Sequence, residues 1–306
     1  MITVEGLAGI KATIIQDSIA FSGKRIITYE LEYQRYIHAE LMTHRQFSRN
    51  AASSRAIPVE RMLETIENNP AEPVTWQKNQ PGMQSSEDFQ GDELTAVQNA
   101  WHDSVMSAVG HSKKLGSLGL HKQWANRPTE FGQIMKTVVT STEWDNWFWL
   151  RDHKDAQPDI QQLARCMWEA KEQSVPMELS SGEWHVPYVD RRRDIYDVLE
   201  YYSGNTKISL EDARMVSASC CAQVSYRKQD TSIEKAKSIF DRLINSEPVH
   251  ASPIEHQARP MDFNIHIFDN VEWVDGVTHM LRDKRLCSGN FIGWIQFRQL
   301  IPNNVK

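Results

Sequence analysis

Residues 26–33 constrain the fold most, because Ile-Ile-Thr-Tyr-Glu-Leu-Glu-Tyr alternates and is rich in β-branched and aromatic side chains. Such a run predicts a β-strand. Helical spacing then relates Tyr36, Ile37, Glu40, Leu41 and His44, with helix formers between them. We therefore expect residues 34–50 to be helical, with His44 and Ser48 on one helix face.

A cationic cluster covers residues 43–55. It contains three arginines, one histidine, three serines and one asparagine, and it has no acidic side chain. An arginine fork matches the geometry of phosphate, and serine or asparagine groups fill the remaining acceptor positions. We place the cluster at the end of the helix and in the following loop, where backbone amides add to an anion site. The alternative is a solvated basic turn on the surface.

The composition limits the classes of function. The chain has 306 residues and a net charge of −6, which argues against a general nucleic-acid-binding protein but allows an anionic small molecule in a local pocket. No apolar run is long enough to cross a bilayer, and the first residues do not resemble a signal peptide. Four cysteines, Cys166, Cys220, Cys221 and Cys287, indicate reduced thiols. We therefore expect a cytoplasmic protein.

The order of patterns along the chain predicts an α/β (α+β) fold, with a twisted, mostly antiparallel sheet flanked by long helices. Short strands are expected over residues 1–33, and a long loop over residues 67–94. Further helices are expected over 92–118, over 129–171 with an interruption where Asp155 caps a second helix at Pro158, and over 191–202.

The Ser-Gly-Asn-Thr run at 203–206 is the best candidate boundary in the chain. It divides the sequence into residues 1–205, which carry the cationic cluster, and a second segment, 206–306. We expect the second segment to pack into the same fold.

Asn146 and Arg151, in a tryptophan-rich stretch, are further candidates for ligand contacts, and Arg127 is a third isolated arginine. Each of them alone is more often structural than functional. Core packing is the default role of the neighbouring tryptophans, and an aromatic wall beside a planar ligand is the alternative.

The second dense polar cluster, residues 250–256, is His-Ala-Ser-Pro-Ile-Glu-His. Ser252 is a good helix N-cap before Pro253, and Glu255 completes a capping box, which leaves the flanking histidines unexplained. The conceivable metal-ligand sets are His250, Glu255 and His256, or His38, Glu40 and His44. Neither has the His-Glu-x-x-His spacing, so no metal is predicted. The chain also lacks a Walker loop, a Gly-x-Gly-x-x-Gly fingerprint and a Gly-x-Ser-x-Gly elbow.

Together these clusters resemble the flavin-dependent thymidylate synthase family. The family signature is Arg-His-Arg, two residues, Ser, one residue, Asn, two residues, Ser, one residue and Arg. Thr43 stands in place of the first arginine. The chain matches the rest of the signature at His44, Arg45, Ser48, Asn50, Ser53 and Arg55.

Other segments extend the resemblance. Residues 146–151 are similar to a family region in which an asparagine and an arginine contact flavin and nucleotide, and Arg127 lies near the position of another phosphate-binding arginine. Residues 250–256 resemble the flavin-binding motif His-x-(Ser/Thr)-Pro-x-Glu-His, which usually precedes the signature. Residues 221–226 resemble the segment that normally opens the family's chain. The resemblance therefore implies a divergent, rearranged member, whose second segment supplies elements that are usually N-terminal.

The departures from the family pattern concern flavin and nucleotide. Thr43 replaces an arginine near both ligands, and Ala51 stands where the family often has a glutamate that helps to hold nucleotide. Arg298 or Gln299 is the candidate to compensate for lost contacts. Flavin-contacting and neighbouring positions also differ at Thr140, Thr142 and Asp155.

The resemblance implies a homotetramer with active sites between subunits. The implied reaction is reductive methylation of dUMP at C5, with methylenetetrahydrofolate as one-carbon donor and with FAD, reduced by NADPH, as hydride source. Substrate binding is assigned to Ser53, Arg55, Arg127, Arg151 and Gln299. The catalytic candidates are Arg151 and Ser53. Ser53 is not assigned as a covalent nucleophile. Contacts with FAD, or orientation of folate, are assigned to His44, Arg45, Ser48, Asn50, Asn146, His250, Ser252 and Glu255.

Two alternatives stay open. A related enzyme on the same scaffold would modify C5 of a pyrimidine nucleotide differently, for example by hydroxymethylation of dUMP. A non-catalytic nucleotide-binding or structural oligomer would have lost flavin through the departures from the family pattern.

Overall fold

The computed structural model describes residues 1–226, 229–261 and 274–305. It is a mixed α+β protein with mainly antiparallel sheets, which confirms the expected fold class. The strands are β1 Ile2–Glu5, β2 Lys11–Ala20, β3 Arg25–Gln34, β4 Ser48–Ala51, β5 Ile134–Ser141, β6 Met177–Leu179, β7 Asp190–Arg193, β8 Leu199–Ser203, β9 Thr206–Ile208, β10 Ala258–Pro260, β11 His279–Met280, β12 Leu286–Ser288, β13 Phe291–Ile292 and β14 Trp294–Gln296. The helices are α1 His38–Met42, α2 Val59–Asn68, α3 Gly91–Ser117, α4 Lys122–Ala125, α5 Asp145–Arg151, α6 Pro158–Gln173, α7 Leu210–Ala222 and α8 Ile233–Ile244. Within the described ranges, no helix combines the length and apolar character that a membrane crossing requires.

The main sheet has the order β1-β2-β3-β5-β4, and β6 joins the edge of β2 in parallel. Strand β3 forms where the alternating sequence predicts it. One face of the sheet carries Tyr29, Leu31 and Val139 and packs against α5 and α6. The other face carries Val138, which packs against Cys221 at the end of α7. Each face is therefore buried by a different part of the chain.

The helix expected over residues 34–50 is mostly wrong. A 3₁₀ turn, Arg35–Ile37, leads into α1, which has five residues, and the chain then turns into β4. Strand β4 pairs antiparallel with β5, with Ser48 opposite Thr140 and Asn50 opposite Val138. Sheet pairing overrides the helical spacing of the sequence, because the residues at 48–51 are better suited to extended backbone than to a helix. His44 and Ser48 consequently do not share a helix face.

The helix expected over residues 129–171 is correct only in its second half. Residues Ile134–Ser141 form β5, the strand between β3 and β4, and their run of β-branched side chains suits that position. Helix α6 begins at Pro158, as expected. Its cap is the Gln157 side chain, which accepts a hydrogen bond from the Ile160 amide (2.9 Å), and not Asp155.

The helix expected over residues 191–202 is also wrong, because this segment forms the hairpin of β7 and β8. Arg193 in this hairpin pairs with Glu183 (2.9 Å), and Arg191 donates inward to Ser18 (2.9 Å). The candidate boundary at 203–206 falls in the tight turn between β8 and β9, where Gly204 has φ 58°.

The helix expected over 92–118 is confirmed as α3, and the preceding loop is confirmed as largely irregular. Within that loop, Gln77 and Asp88 form an isolated antiparallel bridge. The loop therefore folds back on itself before α3 begins.

Gln296 connects the second segment to the signature strand. Its side-chain nitrogen donates to Ser48 Oγ (3.1 Å), to the Glu255 carbonyl (3.1 Å) and to Asn290 Oδ1 (2.9 Å). The side chain is almost completely buried. Residues from three separate stretches of sequence are thus held by one amide.

We predict that Gln296→Ala lowers the free energy of unfolding by about 3 kcal/mol, because it creates a cavity and removes the donor that Ser48, Glu255 and Asn290 share. Chemical denaturation measures this loss. Gln299→Ala is the matched control, since among the described residues the Gln299 side chain donates to Gln296 Oε1 alone (3.2 Å). A loss equal in the two variants would contradict a special role of Gln296.

Candidate active site

The turn after α1 and the helix α5 enclose a cavity of about 430 Å³. Among the described residues, the lining comes from these two segments and Glu143, and it consists of Thr43, His44, Arg45, Gln46, Phe47, Glu143, Asn146, Trp147, Leu150 and Arg151. The volume lies within the range of small-molecule pockets. Four of the predicted site residues, His44, Arg45, Asn146 and Arg151, therefore meet at one cavity.

Arg151 ties α5 to the turn through three hydrogen bonds. Its Nε donates to His44 Nε2 (3.0 Å), its Nη1 to Glu40 Oε2 (2.9 Å) and its Nη2 to Thr43 Oγ1 (3.2 Å). Glu40 neutralises much of the arginine charge, and we did not predict this partner. The available sequence signal was its position on the helical face of His44, four residues earlier.

His44 is a neutral, buried ring in this arrangement. It packs edge-on against Trp147, with ring centroids 4.8 Å apart, and stacks on Phe47. Burial and the nearby charges of Arg151 and Arg49 lower the pKa of His44 to about 4. Because Nε2 accepts from Arg151, the ring proton lies on Nδ1. His44 therefore acts as an uncharged support for Arg151.

Beside Thr43 and Gln46, the accessible polar groups of the cavity include Arg45 and Asn146. Both side chains are exposed, and neither forms a hydrogen bond or ion pair with the described residues. Trp147 Nε1 is buried and also has no partner within the described ranges. An arginine fork beside an amide can bind an anion or a ligand rich in acceptor atoms.

Strand alternation separates the remaining signature residues. Ser48 and Asn50 point to the face that packs on the second segment, where Asn50 Nδ2 donates to the Cys221 carbonyl (2.6 Å). Arg49 donates to the carbonyls of Met42 (2.8 Å) and His44 (3.1 Å) on the side of α1. In one chain, these three side chains are engaged by the protein itself.

Ser53, Arg55 and Arg127 do not line the cavity. The Ser53 amide donates to Ser225 Oγ (2.9 Å), and its hydroxyl oxygen accepts from the Arg55 amide (3.3 Å). The Arg55 guanidinium is exposed and makes no contact with the described residues that would fix its position. Arg127 pairs with Glu130 (2.6 Å). A single chain therefore does not bring these residues to Arg151.

The second polar cluster packs on β4 through the 3₁₀ turn Ser252–Glu255. The expected Ser252 cap is absent: the turn is preceded by Ala251 and has no side-chain capping bond. His250 and Ser252 are exposed. Glu255 forms an ion pair with Arg298, while burial raises the pKa of Glu255. This cluster reaches the signature strand, but not the cavity at Arg151.

A larger cavity, about 880 Å³, adjoins the first and shares Leu150 and Arg151 with it. It lies between the loop at 75–85 and the connection from α5 to α6. Trp149 lines it with 74% of its surface exposed, whereas Trp144 and Trp147 are in the core. The expectation of core packing for the tryptophans is thus correct for two of these three.

No group of three His, Cys, Asp or Glu side chains in the described ranges is arranged to hold a metal ion. The four cysteines are all buried and unbridged. Neither feature adds a reactive group to the cavity at Arg151.

Comparison with known proteins adds no assignment. No protein-family profile matches the chain, and a search of curated proteins finds no match.

We predict that His44 makes the protein less stable as the pH falls from 6.5 to 4. Its folded-state pKa of about 4 is below the ordinary value of 6.5, so in this window the unfolded chain takes up a proton that the folded chain does not. The resulting loss in the free energy of unfolding is about 2 kcal/mol, reduced by partial access of water to the ring.

Denaturant unfolding at several pH values measures this contribution as the difference between the parent and His44→Gln, which keeps an acceptor for Arg151 but cannot titrate. The stability difference should shrink towards pH 4. Parallel pH curves for the two proteins would show that His44 does not contribute.

Proposed function

We propose that the chain is a flavin-dependent enzyme that methylates dUMP at C5, with methylenetetrahydrofolate as one-carbon donor and with FAD and NADPH as the source of reducing equivalents. The proposal originates in the sequence resemblance. The structure supports it through the positions of the clusters that carry the resemblance. Although they are far apart in sequence, three of these clusters converge around β4 and its flanking turn.

The observation that carries the proposal is the contact of Arg151 with the signature turn. Arg151 bonds to Thr43 and His44, and Asn146 opens onto the same cavity. A nucleotide phosphate or a uracil oxygen placed in the cavity would meet Arg45 and Arg151 together. Arg45 belongs to the signature and Arg151 to the region 146–151, so a single ligand in the cavity would contact both motifs.

The residues fit a flavin in part. Arg45 and Asn146 are free to contact acceptor atoms of the cofactor, and His44 is fixed as an uncharged ring beside them. Ser48 and Glu255 are engaged inside the protein, and they would act by holding the second segment against β4. FAD supplies the hydride when it is bound, and the chain's own groups position the pyrimidine and balance charge.

The protein would work as a homotetramer with sites between subunits. Arg55 and Arg127 are assigned to the nucleotide, yet they lie away from the cavity of their own chain. A neighbouring subunit would therefore have to complete the site. This arrangement would give the exposed Arg55 guanidinium a ligand.

The non-catalytic alternative is favoured by one specific observation. Glu40 already pairs with Arg151, so a phosphate has to compete with a carboxylate. A protein that uses Arg151 only to join α5 to α1 would look the same in this region. The hydroxymethylating alternative differs from the main proposal only in its product.

We predict that the purified protein, after incubation with FAD, shows the visible absorption of bound flavin. With all co-substrates, it should release tritium from dUMP labelled at C5, because substitution at that carbon expels its hydrogen. Mass spectrometry of the nucleotide identifies dTMP or a hydroxymethylated product. Absence of bound flavin and of tritium release would rule out the enzymatic proposal.

We also predict that Arg151→Ala weakens binding of dUMP to the flavin-loaded protein by about 2 kcal/mol, which is roughly thirtyfold. Glu40→Gln should act in the opposite direction, because it removes the competing carboxylate. Calorimetric titration measures both effects. Arg165→Ala is the control, since Arg165 forms a comparable ion pair with Asp152 (2.8 Å) outside the cavity. Equal affinities in the parent and the Arg151 and Glu40 variants would overturn the assignment.

A further inference from the structure

A chain of hydrogen bonds runs through the interior on the sheet face opposite α5 and α6. It begins at Arg191 in β7, whose Nη1 donates to Ser18 Oγ (2.9 Å). Ser18 Oγ lies 2.8 Å from His185 Nδ1, and His185 Nε2 lies 2.8 Å from Thr28 Oγ1. A single imidazole thus joins β2 to β3.

The chain continues across the sheet to the second polar cluster. Thr28 Oγ1 lies 2.7 Å from Thr140 Oγ1, which lies 2.8 Å from His256 Nδ1. His256 Nε2 is buried, and within the described ranges it has no hydrogen-bond partner. The chain between the two ends is closed to solvent, with zero exposure at Ser18, Thr28, Thr140, His185 and His256.

Both histidines are neutral. Burial lowers the pKa of His256 to about 3 and that of His185 well below its ordinary value. Arg191 remains a cation at neutral pH, since burial lowers its pKa only to about 10. Each imidazole therefore carries one ring proton, while Arg191 can only donate.

These constraints favour the proton order that leaves one group of the chain unpaired among the described residues, the His256 Nε2–H. Ser18 accepts from Arg191, so its own proton goes to His185 Nδ1, and the His185 proton is then on Nε2, facing Thr28. The threonines pass their protons in the same direction, which leaves the His256 proton on Nε2. The reverse order would leave both the Ser18 hydroxyl proton and the His256 Nε2 lone pair unpaired. Buried unpaired polar atoms are costly, so the first order is favoured.

We infer that Arg191 is a positioning residue that orients this chain, so that His185 and His256 are both Nε2–H tautomers and the turn at 252–256 ends in a neutral N–H donor. Thr140 is also the sheet partner of Ser48 in the signature strand. The direction of hydrogen bonding that Arg191 sets at β7 therefore extends to residues 252–256, a segment to which we assign contacts with flavin. The inference rests on the hydrogen bonds and does not depend on the proposed function.

Nitrogen-15 NMR of the histidine-labelled, ligand-free full chain tests the inference. Couplings to the ring carbon-bound protons distinguish a protonated from an unprotonated ring nitrogen. His185→Gln and His256→Gln assign the signals by their loss. We expect a protonated Nε2 and an unprotonated Nδ1 for both rings, and an Nδ1–H or doubly protonated ring at either position would overturn the inference.

The role of Arg191 is tested with Arg191→Met, which keeps a long side chain but removes the donor. We expect a second set of histidine signals, with Nδ1–H tautomers, because Ser18 is no longer forced to donate inward. Arg193→Met is the matched control. Arg193 lies on the same strand, but it pairs with Glu183 and takes no part in the row of hydrogen bonds from Ser18 to His256. Unchanged, single tautomers in a folded Arg191→Met protein would show that Arg191 does not set the direction. The parent spectrum decides the tautomers even where the variant does not fold.

Discussion

The pairing of β4 with β5 is the constraint on which the rest of the candidate site depends. Because of this pairing, residues 48–51 of the signature form a strand instead of the helix that the sequence predicts, with Ser48 opposite Thr140. Because side chains alternate on a strand, the signature residues then divide between the two faces of the sheet. One face receives the second segment, and the other faces α1 and α5. Without this pairing, neither the Gln296 contacts nor the cavity at Arg151 would have a fixed position.

Part of the cationic cluster is engaged by the folded chain itself, although the sequence suggests an open set of cations. Arg49 donates to two backbone carbonyls, and Arg151, from α5, brings its own partner in Glu40. The guanidinium groups of Arg45 and Arg55 are exposed and form no hydrogen bond or ion pair with the residues that the structure describes. Arg49 therefore has a structural role, whereas Arg45 and Arg55 stay accessible to a ligand. An anionic ligand would contact these accessible arginines before it displaced Glu40 from Arg151. This ordering follows from desolvation, since the free arginines are the ones that still contact water.

The sequence predicted the elements with strong local patterns. Strand β3 and helix α3 are examples, because alternation and helical periodicity extend over many residues there. The prediction failed where a partner strand decides the structure. The residues of β4, β7 and β8 have weak local preferences, and their conformation is set by pairing with distant segments. The site residues show the same division: Asn146 and Arg151 were identified from their cluster, whereas the pairing of Glu40 with Arg151 was identified only from the folded chain.

The buried polar chain explains why the sheet has a single register at its centre. Thr28 and Thr140 are direct cross-strand partners, and their hydroxyls bond to each other as well as to a histidine on either side. A slip of β3 by one residue would turn the Thr28 hydroxyl to the opposite face, where Tyr29 and Val139 now pack against an apolar core. Thr140 and His185 would then each lose a partner in a region closed to water. An apolar pair at these positions would tolerate neighbouring registers more easily, so the polar groups contribute specificity of pairing more than net stability.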